Sequence, residues 1–248
     1  MPAGRGASVP QLPDHLYFVI LAVLVPFRAR FSLRRLERAR VEDLPRVRVR
    51  SYKMILIFQW GLAAILLIYW RLAQRSWDAL GLVPRLNGGA IGVAVGTAIV
   101  VGILIVQFRS PPDDAVWERL RRRMRKIERL LPRTPTELRW FDLVAITAGV
   151  CEELLYRGFM IWYLSHWMSI VPAAFLASAI FGVAHLYQGI GGILRTGALG
   201  GFLASIYLLT RSLYLSMVLH FLADVYSGHV MIEAYRRETA APAPGVEA

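Results

Sequence analysis

The sequence predicts an all-α fold, a polytopic membrane helix bundle with seven or eight transmembrane helices. Three observations carry that expectation. Of 248 residues, 56% are hydrophobic, more than a soluble domain of this length uses throughout. Several near-uninterrupted apolar runs approach the roughly 20 residues that a membrane-crossing helix needs. The net charge of +12 is concentrated between those runs: residues 28–53 carry ten Lys/Arg against three acids, and residues 109–139 carry ten against five. Such placement fits cytoplasmic loops that obey the positive-inside bias and touch anionic lipid, and it argues against nucleic-acid binding. The alternating pattern of a membrane β-barrel is not visible.

Residues 1–13, with Pro2, Gly4, Gly6, Pro10 and Pro13, read as a disordered N-terminus. A first, short span covers about 14–28; only Arg5 precedes it and arginines follow it, the wrong charge order for a cleaved signal peptide. The second span, 54–72, is broken only by Gln59 and Arg71. A connection over 73–87 leads to a third span at about 88–107, where Gly92 and Gly96 sit four apart and Gly102 follows. Small residues at that spacing allow close helix packing.

Pro111 and Pro112 break the chain, and Asp113 is a plausible helix cap. Over 114–131, Trp117, Leu120, Met124, Ile127 and Leu131 recur at three- and four-residue steps while arginines fill the other face. This reads as an amphipathic helix on the cytoplasmic leaflet. It completes an N-terminal region, 14–138, of membrane helices and basic loops.

The remaining spans form a membrane core over 139–234. The first, 139–164, is one helix or two, since Gly149 and Gly158 could mark bends. Further spans cover about 169–187, 191–209 and 212–234, joined by a tight connection at Gly189, Gly191 and Gly192; Gly197 and Gly201 offer a packing face. The tail, 235–248, reads as disordered. Both basic loops inside give seven spans with the N-terminus outside; a split 139–164 gives eight.

Candidate chemistry sits inside these spans. Glu152, Glu153 and Arg157 lie within one apolar run, and ionisable groups at membrane depth usually face a polar cavity and act there. Glu153 and Arg157 are four apart, acid first, the order of a same-face pair. Glu152 is turned about 100° away, which leaves it free to act as a general base. Phe181 and His185 share a face in a later span, as do His220 and Asp224 in the last.

Together these groups supply a base, an imidazole to share a water's proton and donors for a developing oxyanion, the parts needed for peptide hydrolysis by an activated water. Asp224 would have to be protonated to donate, or else act by orienting His220. Blander readings stand beside this one. Each histidine could be a helix-bridging hydrogen-bonding group, and Glu153–Arg157 a structural clamp. His15, His166 and His229 are read as interfacial. Cys151, the only cysteine, excludes an intrachain disulfide and a thiolate zinc site, and reads as a small buried residue. Carboxylates and imidazoles also ligate divalent metals, although no His-Glu-x-x-His spacing is present.

Glu-Glu-x-x-x-Arg (Glu152, Glu153, Arg157), Phe-x-x-x-His (Phe181, His185) and His-x-x-x-Asp (His220, Asp224), in that order, resemble the CAAX-protease and bacteriocin-processing (CPBP) family of glutamic-type intramembrane endopeptidases. Leu80-Gly81-Leu82 is similar to an element upstream of those motifs. The resemblance implies a helical bundle with a conical cavity open to the cytosol, in a bacterial plasma membrane. It implies that Glu152 and His185 activate water, that His220 and Asp224 stabilise the oxyanion, that Glu153 and Arg157 support them, and that no cofactor or metal takes part. Asp224 departs from the Asn usual in the prenyl-protease branch. The expected partners are the lipid bilayer and a membrane-associated protein or peptide cut at a tail, sorting signal or leader. Three alternatives stay open: a non-catalytic scaffold or immunity protein, a zinc-dependent membrane protease, and a proton-coupled transporter, the last disfavoured by the lack of an inverted repeat.

Overall fold

The computed structural model describes residues 9–85, 116–119, 122 and 125–240, with 88, 89, 91, 92, 94–96, 98 and 102 between them. The third apolar run, the Pro111-Pro112 break and the Asp113 cap thus lie wholly or largely outside the described residues. Those described are helical, with no strand among them.

Helix α1, Leu12–Arg38, begins where Gln11 and Asp14 cap each other's backbone and Pro13 occupies the first turn. It therefore starts two residues inside the stretch read as disordered. The coil widens over Ile20–Leu24, just ahead of Pro26, which has no N–H to give the preceding turn. Its far end stops at Ala39, where Arg129 Nη1 donates to the carbonyls of Leu36, Glu37 and Ala39 at 3.1, 2.9 and 3.0 Å. One guanidinium thus satisfies three acceptors around the helix end.

Helix α2, Leu44–Leu72, has Pro45 in its first turn. Beyond it a tight turn, Trp77–Leu80, is capped by Ser76 and closed by Gly81 at φ +72°, a left-handed conformation that glycine adopts without penalty. The Gly81 carbonyl accepts from Leu213 N at 2.9 Å, and Leu80 is fully buried. The Leu80-Gly81-Leu82 element therefore anchors this turn to the start of the last helix.

Helix α3 runs unbroken over 135–164. Thr134 and Glu137 form its capping box, and the coil widens to a π-helical stretch over Glu153–Met160 before closing at Ile161–Leu164. Gly149 and Gly158 do not interrupt it; they are points of close approach. A Cβ on Gly149 would lie 2.8 Å from the Met217 carbonyl, and one on Gly158 3.0 Å from that of Leu80. Helices α4 (Ile170–Ala184), α5 (Ile190–Thr210) and α6 (Tyr214–Ala240) follow. α6 continues past the expected start of the disordered tail, carried by an Arg237–Glu233 pair one turn apart at 2.9 Å.

α3 packs between α2 and α6, and α4 along α5. Leu21, Leu66, Trp70, Phe159, Met160 and Phe181 fill the interior. Large apolar side chains such as Ile57, Phe175 and Ile190 cover the outside, each at least two-thirds exposed, as suits a surface bathed in lipid. Among the described residues, four helices are long and apolar enough to cross a membrane: Leu12–Arg38, Val41–Leu72, Ile190–Thr210 and Tyr214–Arg237.

Two expectations about packing need correction. Gly201 faces nothing within 4 Å, whereas Gly182 meets α5: its Cβ would sit 2.7 Å from the Ile193 carbonyl and 3.1 Å from Gly197 Cα. Gly182→Leu should therefore push α4 from α5 and cost about 1–3 kcal/mol, read as a lowered thermal midpoint in detergent; an unchanged midpoint contradicts this contact. The second concerns 114–131. Its described apolar residues Trp117, Ile127 and Leu131 pack against Val230, Met231 and Ala234 of α6, so they cover protein where lipid was expected.

Nor are all the basic-loop arginines solvated. Arg48 is buried, with Nη1 2.6 Å from Glu137 Oε1 and Nε donating to the Arg129 carbonyl at 2.9 Å. Glu137 Oε2 in turn accepts from the backbone N–H groups of Arg133 and Thr134, and the Tyr52 hydroxyl donates to the Leu130 carbonyl. This cluster ties the basic ends of α1, α2 and α3 together. At the other end, Arg75 makes a buried two-pronged pair with Asp14, at 2.6 and 2.7 Å.

Candidate active site

Glu152 ends the regular part of α3 and Glu153 begins its widened stretch. That stretch is buried along its whole length, and wide turns of this kind are frequent at functional sites. The expected Glu153–Arg157 pair forms, with Nη1 to Oε1 at 2.8 Å and both side chains buried. The Arg157 guanidinium also lies over the Phe181 ring, 4.3 Å from its centroid.

His220 extends from α6 into the gap between the two acids. Its Nδ1 is 2.8 Å from Glu153 Oε1, and a carboxylate only accepts, so Nδ1 carries the hydrogen. Its Nε2 is thereby turned to the other side, 3.8 Å from Glu152 Oε2 and 3.8 Å from Asp224 Oδ2. The pairing with Glu153 was not visible in the sequence, which suggested only that His220 and Asp224 share a face.

His185 stands at the end of α4, with Nδ1 2.9 Å from the Phe181 carbonyl. The carbonyl accepts, which leaves Nε2 as the acceptor. The Phe181 ring walls the imidazole edge-on at 4.8 Å and reaches His220 at 6.0 Å. Next to it Tyr187 lines the cavity too.

One cavity of about 390 Å³ brings Glu152, His185, His220 and Asp224 together on its walls. Glu153 and Arg157 lie behind that surface. No hydrogen bond or ion pair joins His185 to Glu152 among the described residues, though both line the cavity. Arg28, Leu36, Ile127 and Leu130 also line the cavity, so it extends to the basic end of the bundle. His15, His166 and His229 stay out of it: the first two hydrogen-bond to the Tyr163 hydroxyl and the Trp162 carbonyl, and His229 Nε2 lies 3.4 Å from Asp142 Oδ1. Cys151 is fully buried and does not reach the cavity.

Sequence reasoning missed Gln59. From α2, its Nε2 donates to Glu152 Oε1 at 2.6 Å. The available signal was the interruption itself, a lone amide within an otherwise apolar span.

Fold and site together define an integral membrane protein, helical in its described residues, with an acid and imidazole cavity among apolar helices. Residues 134–226 match the family described as Rce1-like, type II CAAX prenyl endopeptidase Rce1-like, a branch of the CPBP family. The match begins at the cap of α3 and ends two residues beyond Asp224, taking in all six site residues and leaving out α1 and α2. No curated protein and no solved structure matches the chain.

Proposed function

We propose that the protein is an intramembrane endopeptidase in which Glu152 activates a water to hydrolyse a peptide bond of a membrane-associated substrate. The supporting observation is the shared cavity: Glu152, His185, His220 and Asp224 line one space while Glu153 and Arg157 brace it from behind. Glu152 takes a proton from water, the resulting hydroxide attacks the scissile carbonyl carbon, and His185 Nε2 shares the water's other hydrogen. The tetrahedral oxyanion forms beside His220 Nε2. With Glu153 at one nitrogen and two carboxylates facing the other, this ring is suited to hold a proton on each and donate to that oxygen. Asp224 orients it. The proton held by Glu152 then passes to the leaving amine as the C–N bond breaks.

The substrate is a C-terminal tail, sorting signal or leader entering from the basic, cytoplasmic end of a bacterial plasma membrane. The unbroken α3 favours seven crossings over eight. The test compares membrane-protein termini, by mass spectrometry, in cells carrying the wild-type protein or Glu152→Gln. Termini that appear only with the intact carboxylate name substrate and bond together. An identical set from a folded Glu152→Gln protein removes the base assignment and favours a scaffold. A chelator that stops cleavage, reversed by zinc, would replace the mechanism with a metal-dependent one.

A further inference from the structure

Gln59 belongs to α2, 75 residues before the matched domain begins at residue 134, yet it bonds directly to the proposed base. The bond cannot be inverted: a carboxylate only accepts, so the amide nitrogen must face Glu152. The amide oxygen has no hydrogen-bond partner among the described residues. Nothing else in the helix interface therefore fixes this side chain, and its one bond is to Glu152 Oε1. The other oxygen, Oε2, is the one facing His220 Nε2 at 3.8 Å. Gln59 also lines the same cavity.

We propose that Gln59 is a positioning residue: it fixes the Glu152 carboxylate through Oε1, so that Oε2 is presented to the water and to His220. The proposal rests on Glu152 being the base. It follows from elementary constraints. A free carboxylate rotates about its last bond and exchanges its two oxygens, whereas one held by a charge-assisted donor presents the same oxygen at every turnover. A mere bridge between α2 and α3 already exists one residue on, where Trp60 Nε1 donates to Thr147 Oγ1 at 3.1 Å. That neighbouring bond supplies the control.

Gln59→Met keeps length and volume but loses the donor, and Trp60→Phe breaks the neighbouring α2–α3 bond without touching the carboxylate. Each is compared with wild type and Glu152→Gln for the rate at which Glu152-dependent termini appear, for thermal stability in detergent, and for the infrared carboxylate band that vanishes in Glu152→Gln. The expected result for Gln59→Met is an about 10- to 100-fold slower rate, a displaced band and a midpoint close to wild type. Trp60→Phe should leave rate and band unchanged. Wild-type cleavage by Gln59→Met beside an inactive Glu152→Gln overturns this proposal and leaves the base assignment standing. So does an undisplaced band, or a loss of rate in Trp60→Phe equal to that in Gln59→Met. Cleavage by Glu152→Gln removes the base, and the positioning role with it.

Discussion

A His220→Phe protein should lose cleavage by about 100- to 1,000-fold, the range for removing one oxyanion donor, while keeping its fold. His220 is where three chains of contact meet. Its Nδ1 is held by Glu153 at 2.8 Å, and its Nε2 faces Glu152 and Asp224, each at 3.8 Å. Phenylalanine preserves the edge-on packing against Phe181 and removes both nitrogens. The carboxylates would then face one another with no imidazole nitrogen between them on the α6 side. The measurement is the initial rate of formation of Glu152-dependent termini, with thermal unfolding as the folding check. A folded variant cutting within tenfold of wild type would show that the oxyanion is stabilised elsewhere.

Arg157→Met should destabilise the protein by about 3–5 kcal/mol, the usual result of removing one partner from a buried ion pair. Glu153 has no exposure at all, and His220 alone cannot replace a guanidinium that also stacks on Phe181. The double variant Glu153→Met with Arg157→Met removes both charges and should recover much of that loss, because two apolar side chains of similar volume suit the site. It should not recover cleavage, since His220 would have lost the acceptor that holds its Nδ1. Denaturation in detergent and the terminus assay separate the two effects. A double variant as unstable as Arg157→Met would contradict the pair as the source of the loss.

The fold class was legible because it depends on composition and on charge between apolar runs, both of which are local. The Glu153–Arg157 pair was legible for the same reason: four residues on one helix set the geometry. His220 and Asp224 share a face as their spacing suggested, and Phe181 does wall His185; that Glu152 meets them on one cavity was implied only by the resemblance. What could not be read was every bond between distant helices. Gln59 registered only as an interruption of a span, since nothing in α2 says that its partner lies 93 positions later. Arg48 and Glu137 entered only as part of the charge counts of the basic loops, because a loop's formal charge does not reveal which member is buried. Glycine spacing misled at Gly201, where the helix face turned out to be open; at Gly149 and Gly158 the helix runs on, and each glycine leaves room for a neighbour.

That Glu153 and Arg157 lie on the same helix also bears on biogenesis. An isolated carboxylate or guanidinium at the centre of a nascent segment costs about 2.5–3.5 kcal/mol to transfer out of the translocation channel. Two opposite charges one turn apart cancel within the segment itself, before any other helix has docked. The segment can leave the channel with Glu152 as the only uncompensated charge near its middle, and His220, synthesised more than sixty residues later, finds its acceptor already buried.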